Sequence, residues 1–250
     1  MLGVGFDISS IMEEILPEID IINVENPLYT NYLNTPYQMD ADAFLSKRYG
    51  KIVITDGPYI DLNPAAAEKQ IAEIVKQKVL ESISFAKQIG SQEIIYLSNF
   101  LPMIKLDFYD DTYVQNSIRF WKAILQETDG IRISLCNTFE YTPQILLRIV
   151  KGINCSNLGL ACDIGHALAY SGIPLQQFYN EMEEFCHTVY LHSNHADHDE
   201  HLNIYEGSLL ANQGFVSILP KLKHKNVIFK PFDKTNIHKN ITTYKHLQRI

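Results

Sequence analysis

Eight short apolar runs punctuate the chain, and most are apolar at every position rather than at alternate ones. They are GVGFDI from Gly3, DIINVEN from Asp20, KIVITD from Lys51, EIIYLS from Glu93, IRISLCN from Ile131, LGLACD from Leu158, TVYLHS from Thr188 and NVIFKPF from Asn226. Continuous apolarity in so short a run marks a strand covered on both faces, as in a parallel sheet packed between helices. Between the runs the period changes. Residues 64–90 open on Pro64, close on Gly90 and place Ile71, Ile74, Val75, Val79 and Ile83 three and four residues apart, which predicts a long amphipathic helix starting at the Asn63–Pro64 pair. Further helices are predicted over 113–128, 143–151, 174–185, 214–223 and around Tyr244, with a short one over 10–16.

Strands alternating with helices predict a (β/α)8 TIM barrel, with residues 1–250 as a single domain. An open doubly wound sheet is the alternative. It lacks its usual phosphate-binding signatures here, since neither GxGxxG nor GxxxxGK[ST] opens any helix. No linker, low-complexity tract or charge block divides the chain.

Composition narrows the class. Hydrophobic residues make up 46% and charged residues 20%, as in a soluble protein with a sizeable core. The formal net charge of −8 disfavours bulk binding to a phosphate backbone, so no nucleic acid is expected as partner. The first residues, MLGVGFDISSIMEE, have no basic, apolar signal pattern and no membrane span is visible, so a cytoplasmic protein without a membrane partner is expected. The four cysteines (Cys136, Cys155, Cys162, Cys186) form no CxxC and read as reduced, small buried residues. Trp121 reads as core.

In a barrel of this kind the chemistry gathers where strands hand over to the loops that follow. Those positions carry Asp56 after the third run, Leu97–Asn99 after the fourth, Cys136 and Asn137 after the fifth, and Asp163 with His166 after the sixth. His192 follows the seventh and Lys230 the eighth. The stretch YLHSNHADHDEHLNIYEGSL adds Asp199 and His201. Carboxylates and imidazoles two or three residues apart suit a divalent cation, zinc or manganese. His195, Asp197, His198 and Glu206 are candidates to orient the ligands. Each motif alone is also what a solvated, histidine-rich loop looks like. Their coincidence at consecutive strand ends favours the metal. Asn137 is expected to brace the barrel mouth, and Tyr29, Tyr32 and Tyr37 either to cap it or to line a substrate lid, capping being the preferred reading.

The segments DGPYIDLNP, SLCNTFE, CDIGHA and LHSNHADHDEHLNIYEGSL, in that order, resemble the xylose isomerase-like barrels, a superfamily that includes sugar phosphate isomerases and epimerases and endonuclease IV. The resemblance implies metal ligands at Asp163, His166 and His192, and a further metal at Asp199 and His201. It implies a sugar-like substrate, and a homo-oligomer is possible. The departures are also specific. Cys136 and Lys230 stand where the family has the two glutamates that bind metal and move the proton, and Asp56 stands in place of a histidine. One reading is a rebuilt site, with Cys136 as a thiolate ligand and Lys230, its pKa lowered, as base or carbonyl-capturing amine. The other is an ion pair of Lys230 with Asp56 or Asp163 where a metal once sat. Three functions follow. They are a metal-dependent isomerase or epimerase acting on a small sugar or sugar phosphate, a catalytically decayed barrel with a binding role, and an endonuclease IV-type hydrolase.

Overall fold

The structure is a computed structural model that describes all residues except 8–11, 26–43, 45–47, 49, 129 and 250. Tyr29, Tyr32 and Tyr37 lie outside the described residues. Eight parallel strands close in sequence order: β1 (Leu2–Asp7), β2 (Ile21–Glu25), β3 (Ile52–Asp56), β4 (Ser91–Leu97), β5 (Arg132–Cys136), β6 (Leu158–Asp163), β7 (Cys186–Leu191) and β8 (Asn226–Phe229). β1 pairs with both β2 and β8, so no edge is left open. The barrel is thus closed, and the open-sheet alternative falls away. The apolar runs have the reason expected of them. One face of each strand packs under the helices. The other fills the barrel with Ile21, Ile54, Ile95, Cys136, Ala161, Tyr190 and Ile228.

The helices are α1 (Lys69–Gln88), α2 (Tyr109–Glu127), α3 (Gln144–Ile153), α4 (Ile164–Tyr170), α5 (Leu175–Met182), α6 (Gln213–Ile218) and α7 (Ile237–Leu247). Residues 13–18 and 219–224 form 3-10 turns. The long helix starts later than its sequence suggests. Asn63 uses its side chain to accept from the amide of Ala65 (2.8 Å) and holds a turn, and Glu68 is the residue that caps α1. Its buried face runs Val75, Val79, Ser82, Ile83, Ala86, which leaves Ile71 and Ile74 exposed. Trp121 is core, tilted against Tyr96 at 5.0 Å. Helix α4 has no counterpart in the sequence reading, and it is the element that builds the site. Among the described residues no helix is long and apolar enough to cross a membrane.

Candidate metal centre

Asp163 ends β6 and also caps α4, its carboxylate accepting from the His166 amide at 2.9 Å. An Asp one residue before a helix satisfies an amide that has no partner within the helix. Asn137, at the end of β5, fixes Asp163 by two bonds. Its side chain donates to the Asp163 carbonyl (2.9 Å) and accepts from the Asp163 amide (2.8 Å). It thereby braces the barrel mouth as its position suggested.

The β7 end supplies His192, which is fully buried. Its ring lies flat against the start of α4, where a Cβ on Gly165 would stand 2.0 Å from the ring. Only glycine admits this approach. Gly165→Ala is therefore expected to displace His192 and to cost about 1–3 kcal/mol in denaturant unfolding, the usual range for overpacking. Unchanged stability would mean that the ring is free to move aside.

After His192 the chain folds back on itself. Ser193 and Leu202 exchange amide–carbonyl bonds of 2.9 and 2.8 Å, and Ala196 and His201 take left-handed backbone angles to make the turn (φ 67° and 49°). Such angles in non-glycine residues cluster at functional sites. The return brings Asp199 and His201 over His192. The rings of His192 and His201 stack at 3.8 Å, and Phe232 covers the outer face of His201 at 4.3 Å.

The tautomers are set by the backbone. His166 Nδ1 lies 2.9 Å from the Asn137 carbonyl, and His201 Nδ1 lies 2.6 Å from the Lys230 carbonyl. A carbonyl only accepts, so both Nδ1 atoms carry a hydrogen and both rings turn Nε2 inward. Those two nitrogens stand 3.2 and 3.1 Å from one atom, Asp199 Oδ2. Each is the distance of a charge-assisted hydrogen bond when the ring is protonated, and the same three atoms can take a cation once those protons leave. Ligand atoms of His166, His192, Asp199 and His201 all fall within 4.8 Å of one another. Both ring nitrogens of His192, and Asp199 Oδ1, are buried without a hydrogen-bond partner. Asp163 Oδ1 is 2.8 Å from His192 Nε2, off the direction of a hydrogen bond. Imidazoles whose second nitrogen is held by a carbonyl, a carboxylate oxygen and an unpartnered buried ring together fit a divalent ion such as zinc or manganese.

The carboxylates and burial together govern the charge on the rings. Burial opposes a charge on His166, yet Asp163 and Asp199 outweigh it and push its pKa up to about 9. For His192 burial prevails and the pKa falls. Burial also opposes the Asp163 and Asp199 carboxylates, but the imidazoles around them hold both well below the usual carboxylate range. His195 and His198 are exposed and pair locally, with Glu200 and Asp197 at 2.7 Å each. Glu206 holds the return loop through the Asn203 amide (3.0 Å). None of these reaches the cluster.

Across the same cavity sits a second group. Lys230 Nζ contacts Asp56 Oδ2 at 2.6 Å, Glu25 Oε1 at 3.0 Å and Asn23 Oδ1 at 3.0 Å. Tyr190 and Asn23 donate to the other oxygen of Asp56 (2.5 and 2.9 Å). Of the two arrangements left open for Lys230, the structure shows the ion pair, and Asp56 is its partner. The lowered pKa expected of a base is corrected. Burial alone would lower it, but Asp56 and Glu25 outweigh burial and hold the ammonium well above its ordinary range. The thiolate expected of Cys136 is corrected as well. Its thiol is packed in the barrel interior, burial drives its pKa far up, and it is not among the residues lining the cavity.

Glu25 carries a pH prediction. Burial raises its pKa, but Lys230 and Lys234 outweigh this and lower it from 4.5 to about 2. A depressed folded-state pKa contributes stability above the unfolded value and loses it as pH falls from about 4.5 towards 2. With Glu25 partly exposed, at most about 3 kcal/mol is at stake. Urea unfolding of wild type and Glu25→Gln should differ at pH 7 and converge near pH 2. A constant difference would contradict the assignment.

The cavity shared by the two groups measures about 400 Å3, and Tyr59, Phe139, Tyr170 and Phe232 are among its lining residues. Its size is that of pockets for small organic ligands. Sequence reasoning missed Asn23, Glu25, Tyr190 and Phe232. Glu25 was findable, since it ends β2 as Asp56 ends β3. Tyr190 lies within an apolar run and gives no local signal.

Comparison with known proteins places these features in context. Residues 24–246 match the family described as xylose isomerase-like TIM barrel. An uncharacterized protein of Methanocaldococcus jannaschii is 29% identical over 208 residues, 78% of this chain and 67% of the relative. A D-tagatose 3-epimerase-like protein superposes with a TM-score of 0.78 at 24% identity, covering 99% of this chain and 95% of its own. Endonuclease IV from Thermus thermophilus gives 0.71 at 13% identity, covering 99% and 98%. At these identities the structures share the fold.

Proposed function

This chain belongs to the xylose isomerase-like TIM-barrel family, and on that premise we propose that it is a divalent-metal-dependent enzyme of the isomerase or epimerase type, acting on a small, sugar-like polyhydroxy substrate. The observation that carries the reading is the convergence of His166 Nε2 and His201 Nε2 on Asp199 Oδ2, with both Nδ1 atoms held by backbone carbonyls. His166, Asp199 and His201 would hold the ion, with His192 and Asp163 beside them. Zinc or manganese there supplies a Lewis acid for a substrate oxygen. The chain's own residues position the ion and the substrate. Asn137 and Lys230 orient the imidazoles through their carbonyls. The stack of His192, His201 and Phe232 keeps water from one side. Asp56 has three of its four acceptor positions taken by Lys230, Tyr190 and Asn23 and keeps one for a substrate hydroxyl. Nucleic acid is not the partner we propose. Among the described residues lining the cavity Lys230 is the one Lys or Arg, and it is already paired.

The second reading, a barrel that binds its ligand without turnover, is favoured by Cys136 and Lys230 standing where the resemblance expects glutamates. Solvent exchange separates the two. A panel of ketoses incubated in D2O with zinc- or manganese-loaded protein and followed by NMR should show deuterium entering next to the carbonyl of one of them. His166→Ala/His201→Ala should abolish it. A ligand that binds and shows no exchange would establish the second reading.

A further inference from the structure

The surroundings of Lys230 Nζ are those of a bound cation. Three oxygens face it, from Asp56 (2.6 Å), Glu25 (3.0 Å) and Asn23 (3.0 Å), and the ring of Tyr190 lies 5.0 Å below. The strand opposite is cut away to make room. A Cβ on Gly5 would stand 2.2 Å from Glu25 Oε1 and 2.9 Å from Lys230 Cδ. The ammonium donates to Asp56 and Asn23, and Glu25 completes the set as an ion pair. Two carboxylates and an amide oxygen are the donors a hard cation prefers, unlike the imidazole-rich set across the cavity.

We propose that Lys230 is a tethered cation: its ammonium group fills an oxygen-lined cation site between β1, β2, β3 and β8, closes that site to free ions and confines exchangeable metal to the His166–Asp199–His201 side. The ammonium cannot leave, so this half of the cavity keeps one charge at any metal concentration. It is enclosed by these three oxygens, and the neighbouring Asp56 makes the contact with a ligand.

The clause that confines metal to the His166–Asp199–His201 side rests on the metal reading above, whereas the oxygen cradle does not, and the test addresses the cradle with magnesium alone. Lys230→Ala empties the cradle and leaves its three oxygens. Titration with Mg2+ at millimolar concentration should then show one equivalent bound and raise the thermal midpoint by about 5 °C, a typical shift for a ligand well above its dissociation constant. Wild type should show neither. Adding Asp56→Asn and Glu25→Gln to Lys230→Ala should remove the response. Lys230→Gln, which keeps most of the volume and removes the charge, serves if Lys230→Ala does not fold, and its midpoint should also rise with Mg2+. A folded Lys230 variant indifferent to Mg2+ overturns the proposal. So does a wild type whose midpoint moves as far as the variant's.

Discussion

The His166→Ala/His201→Ala protein is expected to bind zinc or manganese at least about 1,000-fold more weakly than wild type, a loss of about 4 kcal/mol. The size follows from what is removed. Both imidazoles whose tautomers are preset by the Asn137 and Lys230 carbonyls are lost, and Asp199 is left without either nitrogen at 3.1–3.2 Å. Ligand pairs of this kind carry a large share of the roughly 10–16 kcal/mol that a full zinc site supplies. Elemental analysis of protein purified without chelator measures the effect directly, and competition with a chelator gives the affinity. Near-stoichiometric metal in wild type and none in the variant is the expected pair of results. Equal metal in both would mean that the ion sits elsewhere, and the reading of this cluster would fail. The comparison is sound only between folded proteins, and there is reason to expect that. Asp199 is partly exposed, so its unpaired charge still reaches water after the substitution.

Lys230→Met should destabilise the protein by about 3–5 kcal/mol in urea without added divalent ion. The ammonium is buried, and its removal leaves the Asp56 carboxylate with only its Tyr190 and Asn23 donors against the cost of burial. Glu25 loses less, because Lys234 still holds its other oxygen at 2.8 Å. Breaking one side of a buried pair costs more than removing both. Lys230→Met/Asp56→Asn should therefore recover about half of the loss. A cost under about 1 kcal/mol for the single change would place the pair in effective contact with solvent, like an ordinary surface ion pair.

These effects involve residues that differ in how far they could be read from the chain. Asp163, His166, His192, Asp199 and His201 were all legible, because ligand-capable residues at the ends of consecutive strands must face one end of a parallel barrel. Asn137 was legible for the same reason. Helix α4 was not. Its seven residues, IGHALAY, are too short to show a helical period, and the capping bond from Asp163 that starts it exists only once β6 is in place. Glu25 was passed over at a strand end that deserved the same reading as Asp56. Cys136 shows the converse error. A strand-end residue can turn into the barrel rather than towards the cavity, and position along the chain does not say which.

The sequence by itself determined the barrel and the supply of ligand-capable residues. Unbroken apolar runs can be covered on both faces only in a sheet wrapped by helices, and the types and spacings of the polar residues at their ends follow from the chain alone. The tertiary structure decided the pairings. Lys230 meets Asp56 and Glu25 because β8, β1, β2 and β3 are neighbours in a closed ring, though Lys230 lies 174 residues from Asp56 in sequence. His201 reaches His192 because Ser193 and Leu202 bond across the return loop. Charge and hydrogen-bond partners are chosen by distance in space, and that distance is set by strand register and loop return, which no local pattern of residues encodes.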